Sequence, residues 1–303
     1  MGTPSNWKRG LALALVTATA WGLLPLALTI MLEALDPYTI TWFRFLTAAL
    51  VLGGFLAVTR QLPSLSSFDS RTWLIFGVAL VGLVGNFVLY LVALRLTSPT
   101  INQTVVQLSP MLLLLGGLMV FNEKFSPRQW LGFVVLVVGL VLFFNRRLVE
   151  LRDLSGGLGL GVALLVIASI IWALYGLAQK TLLRRLTSQQ ILMLIYTGAT
   201  VLLLPTASPD AITHLNTLQA WTLTFCCANT LIAYGAFVEA LECWDVSRVS
   251  AVLALAPLLT MTSMVLIQYV APGLLQPEGL NAASVVGALL VVGGSALCAL
   301  GSS

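Results

Sequence analysis

Apolar runs of about 20 residues, separated by short polar connections, constrain this chain more than any other feature. Coiled as helix, such a run spans about 30 Å, the thickness of a bilayer's hydrocarbon core. Backbone groups in lipid must bond within the protein, so each run reads as a membrane-spanning helix. The alternating pattern of an outer-membrane barrel is absent. Composition agrees: 59% of residues are hydrophobic and 9% charged, with a mean hydropathy of +1.00, beyond what a soluble domain tolerates.

The expected spans are residues 11–31, 38–59, 72–94, 99–121 and 127–145, then, beyond a polar segment at 145–156, residues 157–179, 187–206, 219–242, 246–270 and 281–300. That makes an all-α integral membrane protein of ten helices, five in 1–150 and five in 151–303. The first run follows a short polar leader ending in Lys8 and Arg9. It is too long for the apolar core of a signal peptide and lacks a small-residue cleavage site, so it is expected to be retained as the first helix.

The halves are related by duplication. The stretch 93–139 returns, degraded, over 240–294. One constant offset matches Ala93, Leu94 and Pro110 to Ala240, Leu241 and Pro257; after an insertion, a second matches Glu123, Gly132 and Gly139 to Glu278, Gly287 and Gly294. An odd number of spans per repeat requires the two to insert with opposite orientation. With the N-terminus inside, the inner connections hold Lys8, Arg9, Arg60, Arg71, Lys124, Arg128, Lys180, Arg184, Arg185 and Arg248. The outer ones hold Arg95, Arg146, Arg147 and Arg152. This bias places both termini in the cytoplasm.

Local punctuation sets the boundaries. Ser98 before Pro99 reads as an N-cap with proline at the first helical position, Asp245 as the equivalent cap in the second half, and Pro127 as the opening of the fifth helix. Gly132 with Gly139, and Gly287 with Gly294, lie two turns apart on one face and read as close-packing sites. The run Gly156, Gly157, Gly159, Gly161 is not a nucleotide loop, since it has the wrong spacing and opens a membrane helix. Glu123 and Glu278 precede helices, where a carboxylate complements the helix dipole.

Several function classes lack support. The cations are scattered and form no nucleic-acid patch. Cys226, Cys227, Cys243 and Cys298 have no metal spacing, and the single histidine, His214, falls in a loop. No metal or other cofactor is expected. An intramembrane enzyme would need a nucleophile with a base, or clustered acids, and the spans offer neither.

The repeated AL pair, the helix with a proline some sixteen residues on, and the following Glu and glycine-bearing helix resemble the EamA family of the drug/metabolite transporter superfamily. Helices 1 and 6 add TATAWGLLPLAL and IASIIWALYGLA, which set Trp21 against Trp172. The resemblance covers residues 11–300; the long connection VAPGLLQPEGL before Glu278 departs from it. It implies a bundle whose central cavity is lined by helices 1 to 4 and 6 to 9, and relatives that mostly export amino acids or other small metabolites. The expectation is therefore a secondary transporter of the bacterial inner membrane, working by alternating access, with the bilayer and a small-molecule metabolite as its partners. Efflux of drugs or toxic compounds on the same fold, or a membrane subunit that transports nothing, are the alternatives.

Polar side chains within spans are the candidate substrate contacts, because lipid gives them no partner. Asn86 with Tyr90, and Gln103 with Gln107, are each spaced by four residues and so expected to share a face. Trp21, Trp172, Tyr175, Gln179, Asn229 and Tyr234 complete the set, the competing role being interhelical hydrogen bonding or an aromatic belt. Arg44 and Glu239 are the coupling or gating candidates. Arg44, about 9 Å inside helix 2, snorkels outward, gates, or attracts a carboxylate. Glu239 shares a face with Gly235 and is expected to look into the bundle, as a proton-coupling carboxyl would.

Overall fold

The computed structural model describes residues 4–64, 68–121, 126–155, 157–244 and 246–300; Glu123, Lys124 and Asp245 lie outside the described residues. The first half contains α1 (Pro4–Leu32), α2 (Pro37–Val58), α3 (Ser70–Leu96), α4 (Pro99–Val105), α5 (Leu108–Phe121) and α6 (Pro127–Phe143). The second contains α7 (Gly157–Leu182), α8 (Ser188–Leu203), α9 (Thr217–Cys243), α10 (Val246–Leu253), α11 (Ala256–Val270) and α12 (Ala282–Leu300). No strand occurs among the described residues. Eight helical segments among them are long and apolar enough to cross a membrane, and α6 is a shorter apolar helix.

Most helix starts carry the chemistry their sequences promise. Ser98 accepts a hydrogen bond from the Ile101 amide, with Pro99 following at the first helical position. Ser126 with Gln129, Thr187 with Gln190 and Asn216 with Gln219 form reciprocal capping boxes, each satisfying two otherwise orphaned amides. The first helix begins seven residues before the expected span, so Lys8 and Arg9 belong to it.

The fourth and ninth spans depart from expectation, since both are broken. The helix stops at Val105 and resumes at Leu108, and in the repeat it stops at Leu253 and resumes at Ala256. Prolines explain both breaks. Pro110 and Pro257 have no amide to give the carbonyls four residues back, those of Val106 and Leu253, and their rings crowd those carbonyls. The freed chain tightens instead, with the Ser109 amide on Val106 and the Leu255 amide on Val252.

Packing displays the duplication. The most extensive contact joins α6 to α12; α3 packs on α7 as α1 packs on α9, and α2 on α8. Exchanging the repeats turns each contact into itself or into another of the set. A Cβ on Gly132 would meet the Gly294 carbonyl at 2.7 Å, and one on Gly139 the Gly287 carbonyl at 2.8 Å, so these four glycines put two backbones in direct contact. Low numbers on α6 face high numbers on α12, so the equivalent helices run antiparallel. Helices α2 and α8 do likewise: the Trp42 indole donates to the Thr200 carbonyl, and the Gln190 amide to that of Gln61, in opposite sequence order. Equivalent helices running oppositely are what inverted repeats require.

The surface is apolar where lipid would lie. Trp130, Leu131, Val134, Val138 and Val141 on α6 are exposed while Gly132, Leu136 and Gly139 are buried against α12.

Candidate functional site

The helix pairs α3/α7 and α1/α9 cross at corresponding points. Asn86 donates to the Ala168 carbonyl at 3.0 Å, and at the matching place in the other pair Thr17 donates to the Ala233 carbonyl at 3.3 Å. One turn away, Asn229 donates to the Ala20 carbonyl at 2.6 Å, where its counterpart Gly82 rests against the Ile171 carbonyl. Both asparagines thus serve as interhelical ties. Each spends its amide N–H on a backbone acceptor, but the Asn229 Oδ1 is buried without a protein partner.

Around these crossings lies a layer of aromatic residues drawn from both repeats. Phe45 on α2 packs with Phe87 on α3 at 4.8 Å between ring centroids and stacks on Tyr196 of α8 at 5.6 Å. Trp21 on α1 meets Tyr234 on α9 edge-on at 5.5 Å and Phe237 at 5.7 Å. Trp172 and Tyr175 pack together on α7, Tyr175 buried and Trp172 half-buried. Gln179, half-buried, lies one residue before Lys180 near the end of α7.

Arg44 sits in the middle of this layer. It is 4% exposed, so the outward-snorkelling alternative fails: the side chain turns into the bundle. Its Nε donates to the Thr230 hydroxyl at 3.1 Å, which in turn donates to the Cys226 carbonyl. The guanidinium carbon stands 4.6 Å from the centre of the Phe87 ring. A cation over a desolvated ring gains about 2 kcal/mol and a charged hydrogen bond about as much. Desolvating an ion costs several kcal/mol, and no carboxylate among the described residues pairs with this one, whereas the pairs Arg9 with Glu239 and Arg185 with Asp69 are exposed.

The expected polar wall divides. Tyr90 donates to Gln103 Oε1 at 3.2 Å, joining α3 to α4. Gln107 turns elsewhere, its Oε1 accepting from Ser295 on α12 at 3.1 Å. The break between Gln103 and Gln107 undoes the shared face that a continuous helix would have given them. Asn102, which donates to the Tyr90 carbonyl and accepts from Thr97, helps fix α4.

Glu239 does not look into the bundle. Its side chain is 52% exposed and pairs with Arg9 at 2.9 Å, tying the C-terminal part of α9 to the start of α1. The face it shares with Gly235 is an open one, with nothing within 4 Å of a Cβ placed there. Glu278 caps neither α12 nor its own connection; its Oε1 accepts from the Thr100 amide at 3.0 Å, at the N-terminus of α4. No group of three or more potential metal ligands occurs among the described residues.

Thr230, Phe45, Phe87 and Tyr196 were not singled out in the sequence. Aromatic and hydroxyl residues are common in spans, and only the packing reveals which ones face a charge.

The chain as a whole is similar to known proteins. The sequence model of the EamA-like transporter family matches twice, over residues 8–145 and 159–299. The chain is 42% identical over 297 residues to a protein of Escherichia coli (strain K12) called "Uncharacterized inner membrane transporter YhbE", covering 96% of this chain and 91% of that one. It is 39% identical to an "Uncharacterized transporter" of Haemophilus influenzae, covering 96% and 95%. A solved structure titled "Crystal structure of protein" superposes with a TM-score of 0.63 over 96% of each chain at 19% identity, a likeness of fold alone. Duplicated sequence, antiparallel equivalent helices and matched relatives converge: the chain belongs to the EamA-like transporter family.

Proposed function

We propose that this protein is a secondary transporter that exports amino acids or other small metabolites across the bacterial inner membrane by alternating access, with both termini in the cytoplasm. The observation that supports this most is the central layer. Side chains from both repeats meet there, deep within spans, where polar groups are costly unless they serve packing or a ligand. Trp21, Tyr90, Gln103, Trp172, Tyr175 and Tyr234 form the substrate wall in this reading, with Asn86, Gln179 and Asn229 at its margins and Gln107 supporting the broken helix.

Broken helices at equivalent places in two inverted repeats suit alternating access, because each break frees backbone groups beside the path and provides a hinge. Arg9 with Glu239 acts as a latch between α1 and α9 at one end of the bundle. The positive bias of the connections favours that end as cytoplasmic. Drug efflux on the same architecture is the second reading, favoured by the aromatic lining.

Counterflow in proteoliposomes tests the proposal. Vesicles preloaded with an amino acid or small-metabolite panel should accumulate labelled substrate only when they contain the protein. Equal uptake in protein-free vesicles for every compound would refute it.

A further inference from the structure

Among the described residues, Arg44 is the buried charge of the membrane-spanning region, about 10 Å along α2 from Pro37. The fold does not demand a charge there. At the offset that relates Trp21 to Trp172, the second repeat carries Ile195, which is fully buried. What surrounds Arg44 is half-complete as a receptor. The protein engages Nε through Thr230 and one face of the guanidinium through Phe87, while the terminal nitrogens make no hydrogen bond among the described residues. Tyr90 on α3, hydrogen-bonded to Gln103, Tyr196 on α8, stacked on Phe45, and Tyr234 on α9, packed on Trp21, bring hydroxyls to the same region. The Tyr196 hydroxyl is buried and has no protein partner, although its ring is stacked in place on Phe45.

We propose that Arg44 seats a carboxylate, and that the ligand carried is a small organic monoanion with an aromatic or branched apolar body. This rests on the transporter reading above and names the substrate class of that same site. The planar fork of a guanidinium matches the two oxygens of a carboxylate, and such pairs are the strong form of hydrogen bond in a dry site. The unpartnered Tyr196 hydroxyl supplies a further donor of the kind an anion uses. The rings of Phe45, Phe87, Tyr234 and Trp21 accept the apolar body. A cation finds the opposite: like charge from Arg44, with the partly buried carboxylate of Glu278 held at the N-terminus of α4 rather than beside it. Cationic drugs are therefore poor ligands, and an ammonium group is not required.

The test uses the purified full-length protein and its intrinsic tryptophan fluorescence during thermal unfolding, since a ligand of the folded form raises the transition. The matched probes are 3-phenylpropionate, its amide 3-phenylpropanamide, 2-phenylethylamine, 4-methylpentanoate and sodium chloride. The two carboxylates should raise the transition in a saturable way, and the amide, the amine and chloride should not. Arg44→Gln should weaken carboxylate binding by at least about tenfold, with Arg44→Lys intermediate. A purely structural arginine would change stability without creating that selectivity. The inference is overturned if neither carboxylate binds, if the amide, the amine or chloride matches them, or if Arg44→Gln binds 3-phenylpropionate as wild type does. Should that variant not fold, the carboxylate-against-amide comparison on wild type decides alone. Flux in proteoliposomes separates this claim from the transporter reading. Selective carboxylate binding without translocation upholds Arg44 and refutes transport, whereas translocation of the amine but of neither carboxylate upholds transport and refutes the Arg44 claim.

Discussion

Gln103→Ala and Gln107→Ala should behave differently although the residues are four apart. Gln103 meets Tyr90 beside the aromatic layer, so its loss should weaken substrate binding with little change in stability. Gln107 holds Ser295, whose buried hydroxyl would lose its acceptor, so its loss should cost about 1–3 kcal/mol of stability and leave affinity unchanged. Thermal unfolding together with substrate affinity distinguishes the two. Spacing alone could not have made this distinction, because the rule that residues four apart share a face assumes an intact helix. Pro110 was visible as a repeat marker, but its effect falls on the carbonyl of Val106, upstream. Depth along a helix was legible for Arg44 and direction was not, since the residues that receive it, Phe87 and Thr230, come from two distant helices. Gly235 is a misleading neighbour for Glu239: a glycine marks close packing only where another element approaches, and nothing lies within 4 Å of a Cβ there. Accordingly Glu239→Gln should leave the response of transport to an imposed pH gradient unchanged, measured in vesicles with and without that gradient. A lost response would restore the carboxyl to a coupling role.

The contact of α6 with α12 makes a sharp test at the level of the element. On Gly294 a Cβ would lie 2.6 Å from the Gly132 carbonyl, and on Gly293 it would meet nothing within 4 Å. Gly294→Ala should therefore destabilise by about 1–3 kcal/mol, as overpacking does, while Gly293→Ala should be neutral or slightly stabilising through helix propensity. Thermal unfolding of the two variants checks this. These glycines were readable in advance because their two-turn spacing recurs in both repeats. The cap of α3 offers a pH test. Hydrogen bonds from the Thr72 side chain and amide, joined by Arg185, hold the Asp69 carboxyl at about 2, below its ordinary 3.8. A carboxyl lowered on folding adds stability above its unfolded value of about 4, and that stability is lost as pH falls through about 2. Asp69→Asn should flatten the acid-side decline of the unfolding temperature over that window, and an unchanged decline would assign it to other groups.

For the molecule as a whole, the duplication was the most legible property, carried by constant offsets that survive although few residues are identical. Its consequence in space needed the structure, because α6 on α12, α2 on α8, and the matched pairs α3/α7 and α1/α9 are contacts between distant parts of the chain. Ten separate spans were expected, yet the fourth and ninth appear as broken helices, and the breaks themselves obey the repeat. The central claim is that two repeats cross the membrane in opposite senses and meet at one site. It is tested most directly by labelling single cysteines, in a background lacking Cys226, Cys227, Cys243 and Cys298, at Ser126 after α5 and at Gln276 after α11. A membrane-impermeant thiol reagent should reach Ser126→Cys only from the cytoplasmic side and Gln276→Cys only from the opposite side. Reaction of both from the same side would contradict the account.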